Sequence, residues 1–286
     1  MRGRRNRAGD RQGFRSLGAT LLLAAVLAGV SPAPAVAGAD EPAISIIIDD
    51  LGGRFDADLE AVRLPGPVAC AFLPHDEYTR QLAELAYANH KEVMLHLPMQ
   101  TVGNRRLDAG GLTMHMTHRE FLRTLAADIA AVPHLVGINN HMGSLLTQHA
   151  GDMLWLMRAI HHRGDLFFVD SRTTKATVAM QVAMETHVPT TERDVFLDDD
   201  RSIPAIRAQF QRLLALARAH GSAVAIGHPH PHTLRVLREM LPQLADEGIR
   251  LIPVRAMIRL RQQRRESWQA SLSPSPKAAR KSKPSP

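Results

Sequence analysis

Eight short apolar runs recur along the middle of the chain, and amphipathic segments separate most of them. The runs are Ile44–Ile48, Val68–Leu73, Glu92–His96, Leu135–Ile138, Leu166–Val169, Asp194–Leu197, Ser222–Ile226 and Ile249–Val254. Runs of this length and composition predict buried β-strands. The segments that place apolar residues at helical spacing are Asp76–Asn89, Thr117–Ala131, Asp152–His162 and Ile203–His220. This alternation predicts a parallel α/β fold of seven to eight strands, with closure into a (β/α) barrel favoured over an open doubly wound sheet.

The positive charge of the chain lies at its two ends. Residues 1–37 contain six arginines and one aspartate, and residues 259–286 contain eight lysines or arginines and one glutamate. Because the formal net charge of the whole chain is +7, residues 38–258 carry a net charge of −5. A nucleic-acid-binding domain is expected to be basic, so we expect no nucleic-acid partner for this segment. We interpret 38–258 as the folded domain and the Ser/Pro/Lys-rich segment 259–286 as a disordered tail.

Residues 1–37 have the pattern of an export signal. Arginines precede the apolar stretch Leu17–Val30, and the sequence Ala35-x-Ala37 then suits cleavage before Gly38. We therefore expect a periplasmic or secreted mature protein, with an uncleaved membrane anchor as the alternative. No other run of residues is long and apolar enough to predict a membrane span. Cys70 is the only cysteine, so an intrachain disulfide cannot form.

Polar side chains accumulate where the predicted strands end. They are Asp49 and Asp50, His96, Asn139 to Ser144, Asp170 and Ser171, Asp198 to Asp200, and His228, His230 and His232. In a parallel α/β barrel the carboxyl ends of all strands face one rim, and active sites are built on that rim. A single histidine at a strand end is usually structural, but Asp and His residues at strand after strand predict one shared site. The long connection Leu97–Met116 is the one irregular stretch of this pattern, and long loops in such folds are often functional.

A set of imidazole and carboxylate groups suits a divalent transition metal, with zinc favoured and cobalt, nickel, iron or manganese as alternatives. A catalytic site needs about three protein ligands and an open position for water. The adjacent carboxylates of Asp49 and Asp50 repel one another unless one binds the cation and the other works as a base. A histidine across the rim would then protonate the leaving group. The alternative for the carboxylate pair is a simple turn before Gly52 and Gly53.

Five sequence blocks resemble the divergent polysaccharide deacetylase family. They are Ile48–Gly52, His96–Met99, Gly137–Ser144, Phe168–Ser171 and Gly227–Pro231, and they occur in order within residues 43–258. The resemblance implies a distorted (β/α) barrel related to the metal-dependent deacetylases that remove N- or O-acetyl groups from carbohydrates. The implied substrate is a carbohydrate or a cell-envelope glycan. In the broader relatives the first Asp of the pair on strand one is the base and the second binds metal, which implies Asp49 as the base and Asp50 as a ligand.

The chain departs from the broader superfamily at one metal ligand. In that superfamily the third strand is followed by two histidines four residues apart. Here His96 holds the first position and Gln100 holds the second. We therefore expect His141, at the neighbouring strand exit, to complete the metal site with Asp50 and His96.

The late histidines leave several alternatives open. The family's catalytic acid corresponds to His228 or His230, and the sequence does not distinguish the two. The spacing His228-Pro229-His230 also resembles the His-x-His of amidohydrolases, although that pattern belongs on the first strand there. A further alternative is a catalytically inactive carbohydrate-binding or envelope-interaction protein on the same barrel, which the residue Gln100 favours. The oligomeric state is left open.

Two remaining features bear on the site. The run Asp198-Asp199-Asp200 precedes Ser202 and is typical of an acidic turn that caps a helix, with a role at the rim as the alternative. The chain has two tryptophans and 4% aromatic residues. An extended glycan groove would offer aromatic stacking platforms, so we expect a short or modified substrate.

Overall fold

The computed structural model describes residues 41–103 and 105–272. The predicted signal segment 1–37 and residues 273–286 of the predicted tail lie outside the described residues. The strands are β1 (Ala43–Leu51), β2 (Ala69–Phe72), β3 (Val93–Met99), β4 (Leu135–Met142), β5 (Phe167–Asp170), β6 (Thr190–Glu192), β7 (Val195–Phe196), β8 (Ser222–Gly227) and β9 (Arg250–Leu251). The α-helices are α1 (Phe55–Val62), α2 (Thr79–Ala88), α3 (His118–Ala131), α4 (Ala150–Arg163), α5 (Ala179–Glu185), α6 (Ile203–His220), α7 (Pro231–Met240) and α8 (Val254–Leu272).

The strands form one parallel, curled sheet. Their hydrogen-bonded order is β6-β5-β4-β3-β2-β1-β8-β7, and the short β9 pairs with the start of β1. Only Arg193 and Asp194 separate the two edge strands β6 and β7 in the chain, so the two edges of the sheet lie close together. The amide of Arg193 donates to Asp170 in β5, whereas the amide of Asp194 donates to Val224 in β8. The sheet is therefore a half-barrel, without a β6–β7 ladder among the described residues, and the predicted distorted (β/α) barrel is confirmed.

Strand β1 shows why the strands are apolar at nearly every position. Ile44, Ile46 and Ile48 pack in the larger core beneath the outer helices, while Ala43 and Ile47 face the smaller core inside the barrel. Successive side chains point to opposite faces of a strand, so a strand that is covered on both faces needs apolar residues throughout. Each fully buried isoleucine contributes about 1.5–3 kcal/mol to this packing.

Helix α8 closes the barrel at the end opposite the strand carboxyl ends. Glu92, the residue before β3, accepts hydrogen bonds from the first amides of this helix, at Val254 and Arg255. The next turns insert Met257 and Ile258 into the inner core. The side chain of Arg261 then donates to Asp194 at 2.5 Å and to Thr191 at 2.9 Å.

The prediction that residues 259–286 form a disordered tail is wrong for its first half, because α8 continues to Leu272. This part of the helix has few apolar residues, so its hydrophobic pattern did not indicate a packed element. Guanidinium contacts such as those of Arg261, and of Arg264 to the carbonyl of His220, hold it instead.

Helix boundaries follow local signals in the sequence. A capping box starts α3: the side chains of Thr117 and Glu120 each accept a hydrogen bond from the other's backbone amide. Helix α6 has the predicted bounds, Ile203–His220, and Gly221, with a φ of +76°, caps its carboxyl end. The sequence did not indicate the short polar edge strand β6. Within residues 41–103 and 105–272, no helix combines the length and hydropathy that a membrane span requires.

Candidate metal centre and active site

The end of β1 brings two adjacent carboxylates to the same side of the sheet. Neighbouring side chains of a regular strand point to opposite faces, but the register of β1 with β2 shifts between Ile48 and Leu51. Asp50 has a φ of +56°, a left-handed conformation that is uncommon for a residue with a side chain. As a result, both Asp49 and Asp50 approach the ring of His96, with carboxylate oxygens 3.6 and 3.1 Å from its Nε2 atom. Such local strain is typical of functional sites.

The register between β3 and β4 places two histidines and an asparagine together. His96 lies directly beside Asn139 in the parallel pairing. His141 lies two residues beyond Asn139 on β4 and therefore faces the same side of the sheet. Its Nδ1 atom is 3.0 Å from His96 Nε2. The two imidazole rings therefore lie side by side, and the role of His141 as a metal ligand stays a prediction.

The three predicted metal ligands form a compact triangle. Asp50 Oδ1 lies 3.1 Å from His96 Nε2 and 3.0 Å from His141 Nδ1, and the two ring nitrogens are 3.0 Å apart. Ligands about 2.1 Å from one tetrahedral zinc ion lie about 3.4 Å from each other, so this spacing is close to the one required. Asp50 Oδ1 is also buried and has no hydrogen bond of acceptable geometry within the described part of the chain. The geometry and the donor set therefore fit a divalent transition metal.

Asn139 links the second carboxylate to this triangle. Its Nδ2 amide donates to Asp49 Oδ1 at 2.8 Å and to the hydroxyl of Ser171 at 3.3 Å. Its Oδ1 atom therefore faces His96 Nδ1, 3.0 Å away, and can only accept. His96 must carry a proton on Nδ1, which leaves Nε2 of the neutral ring free to bind a metal. One buried amide thus orients both the proposed base and a proposed ligand.

The electrostatics separate the two carboxylates. Burial raises the pKa of Asp49 above its ordinary value. Burial also acts to raise the pKa of Asp50, but the polar contacts and charges of His141 and His96 outweigh it and hold that pKa well below its ordinary value. Burial opposes protonation of His96, yet the charges of Asp49 and Asp50 raise its pKa to about 9. Asp50 is therefore the fixed anion of the pair, and Asp49 is the group suited to accept a proton.

A second histidine faces the triangle from β8. His228 follows Gly227, and its Nε2 atom lies 3.7 Å from Asp50 Oδ2. Asp198 holds this ring from behind: its Oδ1 atom is 2.9 Å from His228 Nδ1, and its Oδ2 atom accepts from the backbone amide of His228 and from Thr233. Burial acts to lower the pKa of His228, but the hydrogen bond to Asp198 outweighs it and raises that pKa. A protonated ring would therefore present Nε2–H to the site.

The structure distinguishes His228 from His230. His228 lines the cavity above the triangle, whereas His230 is the residue that precedes α7, and its ring stacks on His228 with centroids 5.7 Å apart. Burial lowers the pKa of His230, which disfavours it as a proton donor. The geometry thus assigns the position facing Asp50 to His228.

Two residues that the sequence did not single out support the site. Asp108, on the long connection between β3 and α3, places its Oδ2 atom 3.0 Å from His141 Nε2. This is a close contact between ionisable groups rather than a hydrogen bond of good geometry, and it lies on the ring nitrogen that faces away from the triangle. Arg193 reaches the carbonyls of Ser171 and Arg172 from the turn between β6 and β7. Neither Asp108 nor Arg193 belongs to a recognisable sequence motif. The unusual length of the Leu97–Met116 loop was the one signal in the sequence that a residue such as Asp108 could contribute to the site.

Other predicted residues have structural roles. Gln100 is not turned towards the triangle: its side chain accepts from the amide of Met114 and so anchors the long loop. Asp170 accepts from the amide of Arg172 and the hydroxyl of Thr177. In the acidic run, Asp200 accepts from the amide of Ser202 at the start of α6, as a capping turn requires. Asp198 in the same run belongs to the site, which is the role that the sequence favoured less.

A cavity of about 570 Å³ lies above the triangle. Its volume is within the range of small-molecule sites, about 300–1,000 Å³. The residues on its wall are Asp49, Asp50, His96, Thr101, Val102, Arg105, Asn140, His141, Met142, Ser144, Ser171, Thr173, Phe196 and His228. Two larger grooves, of about 760 and 710 Å³, lie away from these residues. Of these three cavities in the described part of the chain, the one above the triangle combines titratable groups, a candidate metal site and several hydroxyl groups.

Comparison with known proteins adds a family and a fold. A family model described as divergent polysaccharide deacetylase matches residues 46–258. The uncharacterized protein YibQ of Escherichia coli is 39% identical over 204 residues, which are 71% of this chain and 64% of that protein. An uncharacterized protein of Haemophilus influenzae is 34% identical over 204 residues, 71% of this chain and 72% of that protein. The match thus spans slightly less than two thirds of the Escherichia coli protein.

A solved structure has the same fold. The crystal structure of an uncharacterized protein from Agrobacterium tumefaciens superimposes with a TM-score of 0.74 at 20% sequence identity. The match covers 77% of this chain and 90% of that one. At this level of identity the likeness establishes the arrangement of strands and helices.

Proposed function

Because the chain belongs to the divergent polysaccharide deacetylase family, we propose that it is a metal-dependent hydrolase that removes acetyl groups from a carbohydrate or a cell-envelope glycan. One observation carries this proposal: the triangle of Asp50, His96 and His141 has Asp49 at one side and the His228 ring at the other. Deacetylation by water needs these three functions, namely a metal site, a base and an acid.

The metal would be held by Asp50, His96 and His141, and zinc is the ion that this ligand set favours. When bound, the ion supplies a Lewis acid that polarises the acetyl carbonyl and makes a neighbouring water more acidic. Asp108 would keep the ring of His141 in place from its far nitrogen. Gln100 is not needed as a ligand, since His141 takes that role.

The protein residues would divide the proton transfers. Asp49 takes a proton from the attacking water, because burial makes it more basic than an ordinary carboxylate and Asn139 fixes one of its oxygens. His228 gives a proton to the leaving nitrogen or oxygen through Nε2, while Asp198 holds Nδ1 and favours the protonated ring. General acid–base catalysis of this kind contributes about 10²–10⁴-fold in rate.

The test measures acetate release and metal content in parallel. Asp49→Asn keeps the shape of the side chain and should retain the metal but lose about 10²–10⁴-fold in turnover. Asp50→Ala should lose metal and activity together. His228→Ala should lose turnover, and His230→Ala is the matched control because its ring does not line the cavity.

Three results would contradict the proposal. The first is full activity in metal-loaded Asp49→Asn. The second is an equal loss of turnover in His228→Ala and His230→Ala. The third is that the wild type releases no acetate from any acetylated sugar tested. In that case the hypothesis of a catalytically inactive carbohydrate-binding protein replaces the deacetylase hypothesis.

We propose a short or modified acetylated sugar as the substrate and the cell envelope as its location. Besides the histidines of the site, the described cavity wall has one aromatic side chain, Phe196, so it offers little stacking surface for a long glycan. The arginine-rich start, the apolar stretch and the Ala35-x-Ala37 site support export to the periplasm. Amino-terminal sequencing of the exported protein should find Gly38 first; recovery of the intact chain in the cytosol would contradict this.

A further inference from the structure

One cation on the cavity wall has no assigned task. Arg105 lies on the connection between β3 and α3 and lines the cavity above the triangle. Within residues 41–103 and 105–272 its side chain has no hydrogen-bond partner and no carboxylate within 4.0 Å. The neighbouring cations differ: Arg193 binds backbone carbonyls, and Arg172 pairs with Glu192 at 3.2 Å.

The base of this loop is anchored beside the site. The hydroxyl groups of Thr101 and Ser144 are hydrogen-bonded, and the amide of Val102 donates to Ser144 Oγ at 3.0 Å. On the other side of Arg105, Asp108 contacts His141. These contacts hold the loop near the triangle at Val102 and at Asp108, and the exposed side chain of Arg105 lies between them on the cavity wall.

The unpaired guanidinium group of Arg105 offers a partner to an anionic substituent in the cavity. Asp49 and Asp50 are the carboxylates on the cavity wall. A divalent cation in the triangle would balance both of them, and Asp108, the carboxylate beside the triangle, faces His141. Arg105 would remain on the cavity wall without a carboxylate partner among the described residues. A neutral acetylated sugar would leave this guanidinium group without a partner, whereas a sugar with a carboxylate would pair with it. The planar guanidinium group matches a carboxylate with two parallel hydrogen bonds.

We propose that Arg105 selects an acetylated sugar that also carries a carboxylate substituent. This inference rests on the proposed deacetylase function and adds the substrate class to it. Arg105 is then a specificity-determining residue, since it binds a part of the substrate that does not react. N-acetylmuramic acid and N-acetylglucosamine are suitable probes, because they differ by a lactyl group that bears a carboxylate.

The first experiment compares kcat/KM for the two probes. Wild type should prefer the carboxylate-bearing sugar by about 10-fold, as expected for one partly exposed charge-assisted pair. Arg105→Gln should reduce the ratio of the two kcat/KM values to about 1, which means no preference for either sugar. Arg106→Gln removes the adjacent cation, which does not line the cavity, and should leave the ratio at its wild-type value. An unchanged ratio in Arg105→Gln, or an equal change in Arg106→Gln, would overturn the proposal.

A binding experiment separates this inference from the deacetylase function. Metal-loaded Asp49→Asn should bind N-acetylmuramic acid about 10-fold more tightly than N-acetylglucosamine in an NMR titration, and Arg105→Gln in that background should abolish the difference. This readout remains informative if no acetate is released, since it does not depend on turnover. Tighter binding of N-acetylglucosamine 6-phosphate than of N-acetylmuramic acid would overturn the assignment to a carboxylate.

Discussion

Asn139 offers a sharp perturbation of the proposed site, because one buried amide holds both the base and a metal ligand. Asn139→Ala removes the donor to Asp49 Oδ1 and the acceptor of His96 Nδ1, at 2.8 and 3.0 Å. The Asn139 side chain is fully buried, so these two partner atoms would be left without replacement from bulk solvent. Each unpaired buried polar group costs about 1–3 kcal/mol, which gives a loss of about 2–6 kcal/mol in the free energy of unfolding.

The same variant should weaken metal binding. Without the Asn139 acceptor, the ring of His96 is no longer held with Nε2 free, and it can rotate or change tautomer. Loss of such a supporting partner costs about 10–100-fold in metal affinity. The assay is competition for zinc against a chromophoric chelator, run beside thermal unfolding of the metal-free protein.

Asn140→Ala is the matched control for this variant. Asn140 lies next in β4 and forms two hydrogen bonds, to the carbonyl of Met142 and from the amide of Ser171. Neither hydrogen bond of Asn140 involves Asp49 or His96. Asn140→Ala should therefore lower stability, while its zinc affinity stays within about 3-fold of the wild-type value. Equal zinc affinity in Asn139→Ala and wild type would refute the role of Asn139 in holding the ligand.

Further predictions concern the acid histidine, the thiol and the turn after β1. Asp198→Asn should lower the pKa of His228, so the alkaline limit of the pH–rate profile should move to lower pH; an unmoved limit would contradict the pairing. Burial raises the pKa of Cys70 to about 12, so the thiol should react with a disulfide reagent at pH 8 only as fast as the protein unfolds, and rapid reaction of the folded protein would contradict its burial. Gly52→Ala should cost more stability in chemical denaturation than Gly103→Ala, although both glycines have a positive φ, of +122° and +88°. A Cβ added at Gly52 would collide with Thr79, whereas one added at Gly103 would meet no atom of the described residues within 4 Å beyond its chain neighbours. Equal losses of stability would show that the contact with Thr79 is unimportant.

The strands were predictable because each is a short apolar run that is buried on both faces. The structure has a strand in every one of the eight predicted runs. The sequence missed β6, since Thr190–Glu192 is a short polar edge strand without a hydrophobic run. It also missed the second half of α8, where arginine side chains rather than apolar residues provide the contacts. In β6 and in the second half of α8, polar contacts with distant parts of the chain determine the conformation. Such contacts leave no periodic hydrophobic pattern in the sequence.

The site was predictable to the extent that its residues end strands. The carboxyl ends of parallel strands share one rim, which predicts that the candidate residues Asp49, Asp50, His96 and His141 lie together, as they do in the structure. The choice of His228 over His230 needed the structure, since both stand in the same short loop. Asp108 and Arg105 could not be located from their sequence positions, because the path of the β3–α3 loop brings Asp108 to His141 and Arg105 to the cavity wall.

Zinc binding by the single-site variants tests the central claim most directly. The affinity for zinc should be measured by titration for wild type and for Asp50→Ala, His96→Ala and His141→Ala, with elemental analysis of each purified protein. Gln100→Ala serves as the control, because that side chain binds the amide of Met114 and not the triangle. One bound zinc ion per wild-type chain, a large loss of affinity in each of the three ligand variants and near-normal affinity in the control are the predicted results. Unchanged affinity in the three ligand variants would contradict the account.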